Sequence, residues 1–135
     1  MTKEELMRIL AIDKRVKAQK RTLAELREES TCIPAFNSDE RVQTSARDNS
    51  MAICCQIVDL EREIGKNTET LKALKQSAED LIKQVKETHG GEITLMRMRY
   101  LECRPWHDIA TVIGYTWRHT LRIHGEILAS LFEAD

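Results

Sequence analysis

The sequence predicts an all-α protein: a long antiparallel helical hairpin followed by a small three-helix unit. Three observations predict this fold class. A heptad of apolar residues runs through the middle of the chain, other apolar residues recur at helical spacing, and a glycine-centred turn joins two short amphipathic stretches near the end. With 32% charged and 4% aromatic residues, the composition suits long solvated helices. We expect a hairpin and coiled-coil assembly arm over residues 1–89, with a loop at about 30–49, and a helix-turn-helix unit over 92–135.

The first helix is predicted to begin next to Thr2, which can cap its free N–H groups, while Glu4 and Glu5 add negative charge to its first turn. Its apolar stripe consists of Leu6, Ile9, Leu10, Val16, Leu23 and Leu26. Asp13 and a basic run at residues 14–21 interrupt this stripe. Such a run can contact phosphates, but we interpret it as a solvated helix face with charge pairs four residues apart.

The helical periodicity disappears between Ser30 and about Ser50, where turn-forming residues such as Pro34, Asn37 and Asp48 accumulate. We therefore expect a loop here. Its length of about twenty residues is large for a plain connection and lets the first helix fold back on the next one.

A second helix is predicted from about Asn49 to Thr88, with a length of about 60 Å. Its seam alternates four and three residues, as in coiled coils, and consists of Ile53, Ile57, Leu60, Ile64, Asn67, Leu71, Leu74, Ala78, Leu81 and Val85. A buried Asn such as Asn67 tends to fix helix register or partner number. Because a single helix cannot bury this seam, we expect the first helix to cover it and a second copy of the chain to form a homodimer. A monomeric hairpin is the alternative.

The sequence at residues 89–91, His-Gly-Gly, predicts the end of the long helix, because two successive glycines stop a helix and can act as a hinge. The apolar face of the following helix consists of Ile93, Leu95, Met98 and Leu101. Arg97 and Arg99 are expected to be exposed. Pro105 then turns the chain and suits the first turn of the next helix, where its missing N–H has no consequence.

The stretch from Trp106 to Leu131 predicts two short helices that meet at a sharp turn. Gly114 lies at the turn, where a positive φ is often required, and Thr116 can cap the second helix. Ala110 is small enough for the helix crossing. The inward positions are Ile109, Ile113, Tyr115, Thr120 and Ile123, and much of the burial is expected from Trp106, Tyr115 and Leu128. This pattern is typical of a DNA-binding helix-turn-helix, with an αα-corner without a DNA role as the alternative.

A resemblance to known proteins is carried by the run R-Y-L-E-C-R-P-W-H-D-I-A-T-V-I-G-Y-T-W-R-H-T-L-R-I-H-G-E-I-L at residues 99–128. This run resembles region 4 of sigma-70-type sigma factors and, more closely, the RinA/ArpU-like transcriptional regulators of phages and prophages. The segments V-Q-T-S at Val42–Ser45 and I-V-D-L-E-R-E-I at Ile57–Ile64 are also similar to those phage proteins. The resemblance implies a phage-type regulator with a sigma region 4-like helix-turn-helix and a coiled-coil arm for assembly.

The same resemblance implies a set of DNA-binding residues. Thr116 matches the capping position of the recognition helix, and the positions that address DNA match Trp117, Arg118, His119, Leu121 and Arg122. Helical geometry places Arg118 and Arg122 opposite the inward-facing Thr120 and Ile123. We therefore expect these two arginines to contact guanine edges or phosphates. His124 is interpreted as a partly buried packing residue.

The chain departs from the family pattern at four positions. Pro105 stands where Ser or Thr usually caps the first helix of the motif, and Thr120 replaces an expected Val or Ile. Trp117 and Leu121 stand where polar or charged residues are more usual, so that surface is suited to protein as well as to DNA.

Charge argues against tight DNA binding by one copy of the chain. Residues 92–135 carry five basic and six acidic side chains, and the whole chain has a formal net charge of -1. DNA-binding domains usually have a basic footprint, because neutralising phosphates supplies much of their affinity. Dimerisation would make two modest half-site contacts sufficient.

Several classes of function are not expected. The sequence has no Gly-rich phosphate loop, nucleophile–base pairing or carboxylate dyad, so we expect neither an enzyme nor a cofactor. The four cysteines form no C-x-x-C pair, and a metal site at Cys103 and His107, with His119 or His124, is not favoured. No apolar run is long enough to cross a bilayer and the first residues do not resemble a signal peptide, so we expect a cytoplasmic protein without a membrane partner.

The function favoured by the sequence is sequence-specific regulation through double-stranded DNA, performed by a homodimer. Two alternatives remain open. A DNA-packaging adaptor of the small terminase subunit type also combines a helix-turn-helix with coiled-coil assembly, and ring-like oligomers would favour it. A protein-interaction module acting on RNA polymerase or its sigma factor is suggested by the near-neutral charge and by Trp117 and Leu121.

Overall fold

The computed structural model describes residues 1–32 and 40–132. Over these residues the protein is helical and contains no β-strand, which confirms the all-α part of the predicted fold class. The helices are α1 (Lys3–Cys32), α2 (Glu40–Ile82), α3 (Glu92–Met96), α4 (Trp106–Ile113) and α5 (Trp117–Phe132). A π-helical turn, Arg97–Leu101, follows α3 directly. None of the described helices is both long and apolar enough to cross a membrane.

α1 begins with a capping box at Thr2, as predicted. The Glu5 N–H donates to Thr2 Oγ1 at 3.2 Å, and the Thr2 N–H donates to Glu5 Oε2 at 3.0 Å. Two N–H groups are thereby satisfied reciprocally. Glu4 and Glu5 also lie in the first turn, where the helix dipole favours negative charge.

The predicted loop over residues 30–49 is too long. α1 extends to Cys32 and α2 begins at Glu40, so the second half of the predicted loop is helical. That half contains neither Gly nor Pro, and its Glu, Arg, Gln and Ala residues are good helix formers, so scattered Ser, Asp and Asn residues do not stop the helix. The rest of the predicted loop, residues 33–39, lies outside the described residues.

α2 ends at Ile82, six residues before the predicted end near Thr88. The Gln84 N–H donates to Leu81 O and the Val85 N–H donates to Ile82 O, both at 3.0 Å, and these i→i−3 bonds tighten the chain into a turn. The turn brings Val85, which is 8% exposed, into the core. The two glycines before α3 therefore lie in a loop rather than at the end of the long helix.

The chain divides into two compact units, residues 1–13 with 70–135 and residues 14–69. The core of the first unit consists of Leu6, Ile9, Leu71, Ala78, Ile82, Val85, Leu95, Met96, Met98, Tyr100, Ile109, Ile123, Ile127 and Leu128. This core combines residues from the predicted arm with residues from the predicted helix-turn-helix unit. The division therefore differs from the predicted boundary between residues 89 and 92.

Tyr100 is the fully buried aromatic residue of this core. The Glu102 N–H donates to Arg97 O at 3.0 Å, five residues earlier, and the π-helical turn that results places both Met98 and Tyr100 in the core. Trp106 and Tyr115, which are predicted to carry much of the burial, are half-buried and pack against this core. Leu128 is buried as predicted.

In the unit of residues 14–69, side chains of α1 and α2 bond to each other. Asn67 Nδ2 donates to Gln19 Oε1 at 3.0 Å. Exposed ion pairs join Arg15 to Glu63 at 3.0 Å and Arg27 to Glu61 at 2.8 Å. Among the residues of this unit whose burial is described, 14–30 and 49–69, the buried apolar side chains are Val16, Leu23 and Ile53.

The residues of the predicted α2 seam lie on the more buried side of the helix. Ile53, Leu71 and Ala78 are buried, and Ile57, Leu60, Ile64, Asn67, Leu74 and Leu81 are half-buried. Ile82, which is 1% exposed, was not in the predicted seam. A straight helix has 3.6 residues per turn, whereas a heptad seam repeats every 3.5 residues, so the seam gradually rotates around the helix. By the end of α2 the buried position has therefore shifted by one residue, from Leu81 to Ile82.

Candidate helix-turn-helix site

α4 begins at Trp106, after an N-cap formed by Pro105. Pro105 is extended, with φ -67° and ψ 153°, and makes no side-chain cap. Its carbonyl accepts a hydrogen bond from the Ile109 N–H at 3.3 Å. Proline thus starts the helix by its fixed φ and its carbonyl, and it lies one position earlier than the first-turn position predicted for it.

The turn between α4 and α5 has the predicted geometry. Gly114 adopts φ 88° and ψ 20°, the left-handed conformation that only glycine reaches without strain. The N–H groups of Gly114 and Tyr115 both donate to Ala110 O, at 2.9 and 3.2 Å. Thr116 Oγ1 then accepts the His119 N–H at 3.2 Å and caps α5.

The inner face of α5 packs into the core through Thr120, Ile123, His124, Ile127 and Leu128. Thr120 is fully buried, and its Oγ1 donates to Thr116 O at 2.9 Å. The hydroxyl is therefore satisfied within the helix, and Thr120 fills a position expected to hold Val or Ile without leaving a buried polar group unpaired. From α4, Ile109 and Ala110 are buried, whereas Ile113 and Tyr115 are half-buried and pack against the core.

His124 is 8% exposed, so it is more deeply buried than the partly buried packing residue that the sequence predicts, and it has a partner that the sequence did not reveal. Its Nε2 lies 2.6 Å from the Tyr100 hydroxyl in a buried hydrogen bond. The Trp106 ring meets the imidazole edge-on, with centroids 4.6 Å apart. Burial, reinforced by the charges of Arg99 and Lys3, lowers the pKa of His124 to about 4. Burial also raises the pKa of Tyr100 to about 12, so both rings are neutral near pH 7.

Arg99 is half-buried, which corrects the prediction that it is exposed. Its guanidinium lies 4.5 Å above the centroid of the Trp106 ring, and Nη1 donates to Arg104 O at 3.0 Å. The ring and the carbonyl hold the side chain against the surface instead of letting it extend into water. Burial lowers the pKa of Arg99 from its ordinary value.

The outer face of α5, formed by Trp117, Arg118, Leu121 and Arg122, points to solvent. Trp117 is 59% exposed and Leu121 is 36% exposed. Arg118 is exposed and has no ion-pair partner within residues 1–32 and 40–132. Arg122 Nε lies 3.6 Å from Glu126 Oε1 in an ion pair whose side chains are 74% and 55% exposed.

The structure therefore brings five of the six predicted DNA-binding residues to the solvent-facing side of α5. Thr116 differs, because its hydroxyl is engaged in the cap. His119 is exposed, but its ring packs edge-on against Tyr115 with centroids 4.8 Å apart. Val112 of α4 was missed by the sequence reasoning, and it adds a 58% exposed apolar side chain to this part of the molecule. Glu133 and Asp135, which were counted in the charge balance, lie outside the described residues.

The described part of the chain gives no evidence of a metal-binding site. No three His, Cys, Asp or Glu side chains there come close enough to hold a metal ion. Cys54, Cys55 and Cys103 are not disulfide-bonded. The ring of His124 is already engaged by Tyr100 and Trp106.

Comparisons of the chain with models of known families, with curated proteins and with solved structures found no match. The resemblance to sigma region 4 and to RinA/ArpU-like regulators thus rests on the sequence residues quoted for it alone.

Proposed function

We propose that the protein is a sequence-specific DNA-binding transcriptional regulator of the RinA/ArpU-like phage type, with α5 as its recognition helix. One observation carries the proposal: the Gly114 turn and the Thr116 cap orient α5 with its arginines in solvent and Thr120 in the core. In helix-turn-helix proteins the solvent side of the second helix enters the DNA major groove.

The outer face of α5 has the chemistry for this role. Arg118 can offer its whole guanidinium fork to guanine O6 and N7, because no acidic side chain occupies it in the described residues. Arg122 would give up only an exposed pair with Glu126, which is worth about 0.2–1 kcal/mol. Leu121 and Trp117 offer apolar contacts to thymine methyl groups and to sugars.

A homodimer would offset the lack of net positive charge on the single chain, whose formal net charge is -1. Ile57, Leu60 and Ile64 of the seam are only half-buried, which leaves apolar surface for a second copy of the arm. Two linked recognition helices bind two half-sites with a high effective concentration for the second contact. The expected ligand is therefore a double-stranded site with two half-sites.

Fluorescence anisotropy with DNA fragments from the gene's own neighbourhood tests the proposal. We expect binding that weakens steeply with salt, and a loss of at least about tenfold in Arg118→Ala/Arg122→Ala, because each specific arginine contact is worth about 1–3 kcal/mol. Arg21→Ala/Arg62→Ala is the matched control, since it removes the same charge from exposed positions in the other unit. An equal loss in both variants, or no binding at low salt, would contradict the proposal.

A second candidate function is a protein-interaction module acting on RNA polymerase or its sigma factor. The exposure of Val112 and Trp117, at 58% and 59%, favours it, because large apolar side chains in solvent are typical of docking surfaces. Polymerase capture that is lost in Trp117→Ala and retained in Arg118→Ala/Arg122→Ala would support this function over DNA binding.

A further inference from the structure

The exposed side of α1 carries its charges in two blocks. Lys14, Lys17 and Arg21 form a basic block, and Glu25 and Glu28 form an acidic block after it. A helix turns by about 100° per residue, so these five side chains leave α1 within an arc of about 80°. All five are exposed, and the surface that they form is the outer face of α1.

Within the described part of the chain, no helix covers the outer face of α1. α2 packs on the opposite side of α1, where Gln19 Oε1 accepts a hydrogen bond from Asn67 and Val16 is buried. Lys14 and Glu25 have no ion-pair partner among the side chains that the structure describes. The outer face of α1 is therefore accessible to another molecule.

The order of the two blocks is unfavourable within a single helix. The helix dipole favours acidic side chains near the N-terminus and basic ones near the C-terminus, and pairs four residues apart are better with the acidic residue first. The outer face of α1 has the reverse order, and the last turn of α1 contains no basic residue. An antiparallel second helix would offset this arrangement, because its basic block would lie beside the acidic block.

We propose that the outer face of α1 binds the same face of a second copy of the chain, with the two helices antiparallel. The spacing of the charges supports this pairing, because the two lysines lie four and seven positions before Arg21 and the two glutamates lie four and seven positions after it. A two-fold axis near Arg21 places both lysines of each copy beside both glutamates of the other. The face is thus complementary to itself in charge, as a two-fold contact between identical chains requires.

Small side chains near the axis allow the two helices to approach each other. Ala18 and Ala24 lie three positions on either side of Arg21, and both are exposed. With alanine at these positions, the helix axes can come within about 8 Å of each other, the lower end of the usual range. Glu25 of the second copy then lies about 6 Å along the helix from the axis, within reach of the Arg21 side chain. Each arginine near the axis therefore meets a carboxylate.

The charges favour a second copy over DNA as the partner of this face. Glu25 and Glu28 would repel phosphates, which need a surface of one positive sign. The contact is separate from the one proposed for Ile57, Leu60 and Ile64, because those residues belong to the seam of α2. It does not rest on the proposed DNA-binding function.

Sedimentation equilibrium of the full chain without DNA tests the contact. At a low salt concentration of about 0.05 M, Lys14→Glu/Lys17→Glu and Glu25→Lys/Glu28→Lys should each sediment at half the mass of the wild type, because like charges then face each other. An equimolar mixture of the two variants should regain the wild-type mass, since opposite charges face each other again at every pair. In about 0.5 M salt the wild type should associate at least about tenfold more weakly, because exposed ion pairs are screened.

Arg62→Glu/Lys72→Glu is the matched control, since it reverses two exposed charges of α2 and should keep the wild-type mass. Equal masses of the wild type and both charge variants would overturn the proposal. A mixture that stays at the mass of the separate variants would overturn it too. Weaker DNA binding by Lys14→Glu/Lys17→Glu with unchanged mass would assign the face to phosphates instead. If the mixture regains the mass but the wild type binds no DNA, the contact stands and the proposed function fails.

Discussion

At the scale of single residues, Gly114 sets the direction in which α5 leaves the turn. Its φ of 88° lies in the left-handed region, and a Cβ at this position would meet no atom within 4 Å. The effect of a side chain here is therefore backbone strain alone. Gly114→Ala should lower the free energy of unfolding by about 1–2 kcal/mol, measured by urea denaturation.

Gly125 is the matched control for this prediction, because it lies within α5 and a Cβ there also meets nothing within 4 Å. Gly125→Ala should raise the free energy of unfolding by about 0.5–1 kcal/mol, since alanine restricts the unfolded chain and favours the helix. Equal changes in the two variants would show that the left-handed conformation of Gly114 has no bearing on stability.

His124 should make stability depend on pH. Its pKa is about 4 in the folded protein, against an ordinary value of 6.5, so the unfolded chain takes up the proton first. The stability contributed by the neutral ring is fully present above pH 6.5 and is lost as the pH falls through 6.5 towards about 4. The expected slope is at most about 1.4 kcal/mol per pH unit.

Denaturation at several pH values checks this prediction. In His124→Gln, which keeps a polar partner for Tyr100, the slope in this window should become shallower. His107→Gln should leave it unchanged, because His107 is exposed. A wild-type slope that persists in His124→Gln would assign the pH dependence to other groups.

Residues whose roles are local could be predicted from the sequence, and the others could not. The φ of Gly114 and the cap at Thr116 depend on neighbours within a few positions, and both predictions are confirmed. The bond between Tyr100 and His124 spans 24 residues and depends on the π-helical turn. No spacing in the sequence indicates that turn.

At the scale of elements, α1 contains a heptad repeat that cannot be recognised from its apolar residues alone. The residues on its more buried side are spaced alternately three and four positions apart, and they are Ile9, Ile12, Val16, Gln19, Leu23, Leu26 and Ser30. The repeat becomes visible only when the polar residue Gln19 is included among its positions. Gln19 belongs there because its Oε1 accepts a hydrogen bond of 3.0 Å from Asn67, the polar residue of the α2 seam. Paired polar residues at one level of a seam disfavour other registers.

Replacement of this pair by apolar residues should raise the thermal stability of the protein and weaken its preference for a single helix alignment. Gln19→Leu/Asn67→Leu should raise the melting temperature, because two half-buried polar side chains become apolar. The same variant should sediment as several species where the wild type gives one, since no polar level then disfavours other alignments. Thr68→Leu, at an exposed neighbouring position, should do neither. A lower melting temperature in the double variant would contradict this account of the pair.

At the scale of the whole molecule, the sequence did not predict which residues pack against the apolar face of each helix. Periodicity identified the apolar sides of α1, α2 and α5, but it does not specify what covers them. In the structure, Leu6 near the N-terminus shares a core with Ile109 of α4 and Ile123 of α5. The core that holds α4 and α5 therefore includes residues from the start of the chain.

Leu6→Ala tests this dependence. Leu6 is fully buried, so its truncation should destabilise the unit that contains α4 and α5 by about 2–5 kcal/mol. Met7→Ala should have little effect, since Met7 is 41% exposed. Hydrogen exchange of the α5 amides reports the result in that unit. Unchanged protection of α5 in Leu6→Ala would show that α4 and α5 are stable without the Leu6 side chain.

The central claim is that the outer face of α5 lies against DNA, and photocrosslinking tests it most directly. The photoreactive residue p-benzoylphenylalanine would replace Leu121, in the middle of that face, and Glu102 in a separate control protein. Both positions are exposed in the same unit. We predict a crosslink to a fragment from the gene's own neighbourhood from position 121 and none from position 102. Equal crosslinking from both positions, or none from position 121 while the fragment is bound, would contradict the claim.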